Sequence, residues 1–539
     1  MQIYFNGTIR TMEAENHTAE AVLENNGKIV FAGSMEGAKK MADDSAVYVD
    51  LKGKTMMPAF IDGHGHIPAV AQLSTAVDLN RCEDHAQIIE ALRSHMEKNH
   101  MGDGDVLLGY NYDHNFLPGE EHPVKKYLNQ VSAVIPIYVL HASLHIGCVN
   151  DATLKMADIT EDTLDPEGGV IGRKEESREP SGYLEENGMK AVQAVFMPKV
   201  RLDLKKSMQM AQDMYLSNGI TTVQDGAATE QTVKMVRTFA DEGLLNIDVI
   251  SYPLLDQGAR EIFRDNKDCD GKYVNRYKLG GYKVVLDGSP QGKSAWLTKP
   301  YENSDGYCAY SWYPDEKVEG FMKAALEDGR QILAHCNGDA AGDQFLNAYE
   351  KALSASDRSA EDDLRPVMIH CQTARADQLD EMVKLHMIPS VFVGHVNYWG
   401  DVHYKNLGPE RGSKISPCRW AFDRDLAVNF HQDTPVTRPD MLHSVWTAVN
   451  RITRNGVLLG GDQRCGVYDA LKAATVNSAY AYFEEDRKGS ISRGKLADLV
   501  ILDRDPVKVP AMEIKDIQVL QTIKEGKVVF KEGKVVFEA

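Results

Sequence analysis

The sequence predicts a (β/α)8 TIM-type barrel, with a β-sandwich formed by both chain termini and a large insertion after the first barrel strand. Three observations predict it. Eight apolar runs, most of them rich in Val and Ile, recur through the middle of the chain. Helical stretches separate many of them, and His and Asp fall at the ends of several. Nearly continuous apolar strands indicate burial on both faces and hence a parallel sheet. Eight such strands alternating with helices give a barrel.

The elements follow in order. IYFNGTIRT and AVLENNGKIVFAGS, in residues 1–57, read as short strands around the Asn-Gly turns Asn6-Gly7 and Asn26-Gly27. The barrel runs are MPAFID (57–62), ITTVQD (220–225), IDVISY (247–252), YKVVLD (282–287), QILAH (331–335), PVMIH (366–370), IPSVFV (388–393) and LAVNFH (426–431). Helices are expected at 316–327, 343–354 and 377–385. The gap between the first two runs is too long for one helix and its loops, so about 70–200 is an insertion. It carries its own strand runs, DVLLGYNYD and AVIPIYVLHAS, and is expected to lie over the barrel mouth as a lid. LADLVILDRD, IQVLQTIKEGKVVF and KEGKVVFEA return to strand texture at the far end, and EGKVVF occurs at 525–530 and again at 532–537, as in the arms of a hairpin. The expected domains are therefore 1–57 plus 485–539 and a barrel over 58–484.

Composition narrows the function classes. At ~100–200 residues per domain, 539 residues exceed one simple core. A formal charge of −19 repels phosphate backbones, so nucleic acid is not the expected partner. No apolar run approaches the roughly 18–20 residues that cross a bilayer, so no membrane partner is expected either. The 8 cysteines are scattered without a CxxC, as reduced thiols are. With no basic-then-apolar leader at the N-terminus, they point to the cytoplasm.

In a barrel, catalytic residues sit at the C-terminal ends of strands. Here the first run ends in Asp62-Gly63-His64-Gly65-His66, the fifth in His335, the sixth in His370 and the eighth in His431-Gln432-Asp433, while the fourth holds Lys283. Imidazole and carboxylate are the usual ligands of a catalytic Zn²⁺ with an open position. Residues i and i+2 of a strand point the same way, so His64 and His66 can grip one ion. His395 and His431, each taken alone, read as hydrogen-bonded polar groups.

PAFIDGHGH, YKVVLDGS, AHCNGD, IHCQ and HQDTP, in this order, resemble the amidohydrolase superfamily. Within it they resemble the family 3 branch that includes N-substituted formamide deformylase. The segment 489–502 resembles the strand pair on which such chains return to their β-sandwich. One departure is Pro58-Ala59, where the family has Pro-Gly before the HxH strand. The resemblance implies that His64, His66 and Asp433 bind the more buried metal and that His335 and His370 bind a second. It further implies that Lys283 takes up CO₂ as a carbamate bridging the two ions; the alternative is an amine that pairs with Asp287. Asp433 is implied as the base that accepts a proton from the metal-activated water and passes it to the leaving nitrogen. His145 is implied as a substrate contact in the insertion. GYLEE (182–186) also resembles a family segment, and a charged helix start explains it equally well. Gly338-Asp339 reads as a helix cap or a ligand-orienting pair, and Tyr398-Trp399 as pocket wall or core.

The expected function is metal-dependent hydrolysis of an amide-type C–N bond of a small molecule. The expected cofactor is a divalent metal, Zn²⁺ first among candidates, at one or two per chain. The expected partner is a small-molecule substrate, and a homodimer is allowed. The competing readings are a deaminase acting on a ring or amidine carbon, and a metal-free, non-catalytic barrel.

Overall fold

The computed structural model describes residues 1–531 and 533–535. The chain forms two compact units. One comprises Met1–Pro68, Met210–Pro290 and the chain from Ala295 onward, and the other Ala69–Gln209 with Gln291–Ser294.

In the first unit, both chain ends share one nine-stranded sheet. Its order is Lys534–Val535, Lys527–Lys531, Val519–Lys524, Leu499–Leu502, Thr55–Pro58, Gln2–Arg10, Thr18–Asn25 and Lys28–Gly33, with Val47–Asp50 also paired to Gln2–Arg10. The seam between the termini is the antiparallel pair of Leu499–Leu502 and Thr55–Pro58, within the 489–502 segment that resembled the family's returning strands. Tyr4, Ile9, Val22, Met56, Leu499 and Ile523, drawn from both ends, bury one another on a single core face. Hydrogen bonding thus makes the expected sandwich one shared sheet. Asn26-Gly27 is the hairpin turn predicted, with left-handed φ of 51° and 80°. Asn6-Gly7 is not a turn but a bulge inside strand Gln2–Arg10, where the register shifts between Phe5 and Ile9. A Cβ on Gly7 would lie 2.4 Å from the Lys54 carbonyl oxygen, so the bulge takes glycine for close approach. Lys527–Lys531 pairs antiparallel with Lys534–Val535, as hairpin arms do. Glu532 and residues 536–539, part of the second EGKVVF copy, lie outside the described residues.

All eight barrel runs contain parallel strands, and the helices Asp315–Glu327, Asp339–Ser354 and Ala376–Lys384 lie where expected. The closed eight-stranded barrel is corrected. Among the described residues the strands form two parallel sheets, Tyr277–Leu279, Asp248–Pro253, Ile220–Ala228 and Phe60–Ile61 in one, and Tyr282–Val285, Ile332–Cys336, Val367–His370, Ile388–Val391 and Asn429–Phe430 in the other. The first break falls at Gly280-Gly281. Residues 277–279 pair with 248–253, whereas 282–285 pair with 332–336. Neither glycine has room for a side chain, since a Cβ would stand 2.5 Å from the Tyr252 ring at Gly280 and 2.4 Å from the Gln331 carbonyl oxygen at Gly281. Isolated bridges, Leu254 with Lys283 and Gly65 with Thr434, are what cross the two seams.

The second unit is a six-stranded sheet in the order Gly169–Arg173, Pro180–Glu186, Ile146–Val149, Ile137–His141, Leu107–Tyr112 and Val77–Asp78. Its strands alternate between two cores. Leu107, Ile137, Val139 and Cys148 enter one, and Leu108, Tyr138, Leu140 and Val149 the other. GYLEE is strand here, not a helix start. Among the described residues all eight cysteines are free, and no helix is long and apolar enough to cross a membrane.

Candidate metal centre

The six residues picked as metal ligands come together at the C-terminal ends of the parallel strands. The backbone of 62–66 runs between two neighbours: Asp433 N–H donates to the His64 carbonyl at 3.2 Å, and Gly226 N–H to the Gly65 carbonyl at 2.8 Å. Gly226 leaves space for the His64 ring, which a Cβ there would approach to 2.2 Å. The i, i+2 pair converges as predicted. His66 Nε2 lies 3.1 Å and His64 Nε2 3.6 Å from Asp433 Oδ1. Lys283 Nζ is 3.4 Å from His64 Nε2. On the other side His370 Nε2 lies 3.0 Å from His335 Nδ1 and 4.0 Å from Asp433 Oδ2.

Side chains behind the centre fix which nitrogens face it. Gln224 spends its amide N–H groups on the Gly63 carbonyl and the Tyr482 hydroxyl, so its Oε1 accepts from His64 Nδ1–H. That leaves the lone pair of His64 on Nε2, aimed inward. The Gly288 carbonyl, 3.2 Å from His335 Nε2, can only accept and favours a proton there with the Nδ1 lone pair toward His370, against the Asn337 side-chain amide, 3.0 Å from the same nitrogen. His370 Nδ1 meets His431 Nε2 at 3.2 Å, and His431 Nδ1 meets Ser390 Oγ at 2.9 Å. His370 and Asp433 both have left-handed backbones, with φ of 70° and 53°, a costly state for non-glycine residues that clusters at functional sites.

The electrostatics suit a cation. Burial pushes Lys283 down to about 7, and burial also holds His64 and His370 well below the ordinary imidazole range. Burial alone would raise the Asp433 carboxyl, but His66, His370 and His64 outweigh it and hold the acid well below its usual range. Asp433 Oδ1 is buried without a hydrogen bond although two imidazole nitrogens lie within 3.6 Å. Neither approach meets hydrogen-bond geometry at that oxygen. Neutral nitrogen donors around an ionised carboxylate with an orphaned oxygen fit a divalent metal.

The remaining candidates divide. His145 lies in the second unit, its Nδ1 2.9 Å from Glu186 Oε2. Asp287 accepts backbone N–H groups of Trp296, Asn337 and Gly338 at 2.7–3.0 Å, so it orders the loop after strand Ile332–Cys336. Asp339 opens the helix Asp339–Ser354 and pairs with Arg375 at 3.1 Å, in keeping with a helix-start role. Trp399 packs on His395, whose Nδ1 meets His403 Nε2 at 2.9 Å, so His395 is a hydrogen-bonded polar group and Trp399 is core. Sequence reasoning missed Gln224 and Ser390. The available signal was a polar side chain inside an otherwise apolar strand run.

Parallel strands that converge four histidines, a lysine and an aspartate on one rim define a metal-dependent hydrolase. The chain belongs to the amidohydrolase family, whose sequence profile, described as "Amidohydrolase family", matches residues 47–530. It is a hydrolase acting on carbon–nitrogen bonds other than peptide bonds. It is 26% identical to N-substituted formamide deformylase of Arthrobacter pascens over 97% of this chain and 96% of that one. A metal-dependent hydrolase from Pyrococcus horikoshii superposes with a TM-score of 0.75 at 25% identity, covering 95% of this chain and 99% of the other. The zinc complex of atrazine chlorohydrolase from Arthrobacter aurescens superposes with a TM-score of 0.53 at 14% identity, over 100% of this chain and 97% of that one, a likeness of fold.

Proposed function

We propose that this hydrolase cleaves an amide-type C–N bond of a small molecule, releasing a carboxylate and an amine. The observation that carries the reading is the orphaned Asp433 Oδ1 amid inward-facing nitrogens. His64, His66 and Asp433 would hold one divalent ion, Zn²⁺ first, and His335 and His370 a second. When bound, such an ion acidifies a coordinated water and polarises the scissile carbonyl. Asp433 would accept a proton from the attacking water and deliver it to the leaving nitrogen, which departs poorly unless protonated. Gln224 and Gly288 hold the tautomers of His64 and His335 through the cycle. Lys283 Nζ, buried and 3.4 Å from His64 Nε2, would add CO₂ and lose a proton, giving a carbamate anion able to help hold the metal. The second unit, with His145 held by Glu186, selects the substrate.

The relative's activity suggests N-substituted formamides as the first substrates to try, followed by longer N-acyl amines. The test is product analysis of the metal-loaded enzyme. Equal amounts of carboxylate and amine support the proposal, whereas ammonia released from aminated rings with no amide turnover assigns the deaminase reading. Lys283→Ala tests the carbamate. It should lower metal content to about one equivalent or less, and acetate added with metal should restore part of the lost activity. Two retained ions with normal turnover would make Lys283 a plain buried amine.

A further inference from the structure

The second unit carries a smaller cluster of metal-ligand type that the proposed reaction does not use. Strands Leu107–Tyr112 and Ile137–His141 are parallel neighbours, with Tyr112 opposite His141 at their C-terminal ends. The chain leaving the first strand, Asp113-His114, therefore falls beside the ring that closes the second. His114 Nδ1 is 3.1 Å from His141 Nε2, Asp113 Oδ1 is 3.4 Å from His141 Nε2, and Asp113 Oδ1 is 3.9 Å from His114 Nδ1.

We propose that Asp113 Oδ1, His114 Nδ1 and His141 Nε2 bind a divalent first-row transition ion of the Zn²⁺ class in this unit. Donors bonded tetrahedrally at about 2.0–2.1 Å stand about 3.3–3.4 Å from one another, and the three separations here bracket that value. Two imidazoles and one carboxylate are a sufficient set for Zn²⁺ or Fe²⁺ and leave a position open to water.

The supporting residues hold each donor. Asp113 Oδ1 accepts the Asn115 backbone N–H at 3.0 Å and its side-chain amide at 2.8 Å, which fixes the carboxylate. The His114 ring stacks on His122 at 4.2 Å between centroids, and His122 Nδ1 meets the Tyr112 hydroxyl at 3.0 Å. Ser143 Oγ, 2.8 Å from His141 Nδ1, can accept that nitrogen's proton and so leave a lone pair on Nε2. The Ser143 backbone N–H donates to the same atom at 3.0 Å, so ion binding would require the imidazole proton to move from Nε2 to Nδ1. His141 is fully buried and the His114 side chain 16% exposed, which gives a floor inside the unit and an edge toward solvent.

The test compares Zn²⁺ stoichiometry in the metal-stripped and reloaded full chain with that of His114→Ala and His114→Gln. Both variants should hold one equivalent fewer than the wild type, with unchanged far-UV circular dichroism and an undiminished first centre. Ser143→Ala should weaken binding of that equivalent about 10–100-fold, the usual cost of losing an outer-shell partner. Crystals of the wild-type chain soaked in Zn²⁺ should show anomalous density between Asp113 and His141. An ion at the first centre with none there, or folded His114 variants that keep the wild-type stoichiometry, would overturn the proposal.

Discussion

The two ends of the parallel strands in the first unit hold the buried amines of Lys488 and Lys283 in opposite states. At the end where the strands begin, Asp248 opens strand Asp248–Pro253 and is met by Lys488 at 2.6 Å and Lys524 at 2.7 Å. Lys488 also pairs with Glu484 at 2.6 Å, and Lys524 with Asp498 at 2.6 Å. Burial opposes these charges, but the pairs win. Asp248 and Glu484 are held low by their lysines, and Lys488 is held high by Asp248 and Glu484. At the end where the strands finish, Lys283 is instead pushed down to about 7, and its neighbour at 3.4 Å is an imidazole nitrogen. One end is a closed network in which cations already sit on their anions. The other is a set of lone pairs around one ionised acid, the donor set a divalent ion takes. Burial alone therefore does not mark a reactive lysine; what faces its Nζ does. The contrast follows the barrel rule that stability resides at one rim and chemistry at the other.

Exchanging the roles of the two ends would break this comparison. The largest effect is expected from Asp433→Asn, which should lower kcat by at least ~10²-fold, the lower end of an acid–base contribution, while the fold is kept. Steady-state kinetics check it, and near wild-type kcat would remove Asp433 as the proton carrier. At the opposite rim, Lys488→Met should cost about 3–5 kcal/mol of stability, because it strands buried carboxylates. The folded fraction should retain its metal and kcat, which denaturant melts and assays can separate. A kcat loss at full metal content would contradict the assignment of that rim to stability.

Two smaller effects sharpen the contrast. Glu484 falls from its ordinary 4.5 to about 2 in the fold; burial opposes the shift, and Lys488 and Lys278 drive it. Its folded value lies below the unfolded one, so its stabilisation is complete above about pH 4.5 and is lost as pH falls toward 2. Thermal melts should decline across that window, and Glu484→Gln should flatten the decline. A slope unchanged by that substitution would assign the acid sensitivity elsewhere. His145→Ala should lower kcat/KM and leave metal content as it was. Unaltered kinetics would make the His145–Glu186 pair purely structural.

Much of this was legible in the sequence, for physical reasons. Strand runs with His or Asp at their ends locate the centre because side-chain period and strand polarity are local properties. His64, His66, His335, His370, Lys283 and Asp433 all meet as read. What stayed hidden depends on contacts remote in sequence. Gln224 orients a histidine 160 positions away. The break at Gly280-Gly281 exists because Tyr252 and the Gln331 backbone press on it, which no local pattern records. Asn6-Gly7 carried a true left-handed signal, but Lys54 beside it made a bulge instead of a turn. The Asp113, His114 and His141 cluster follows the same strand-end logic in the insertion, where the family resemblance marks only His145.

The central claim is that the finishing rim is a metal centre whose activity depends on its ion. The most direct measurement is amide hydrolysis by the full chain after chelation and during stepwise return of Zn²⁺, with bound metal counted at each step. The account predicts negligible turnover in the stripped protein and recovery in proportion to occupancy of the His64–His66–Asp433 site. Undiminished turnover by protein shown by elemental analysis to hold no transition metal would contradict it.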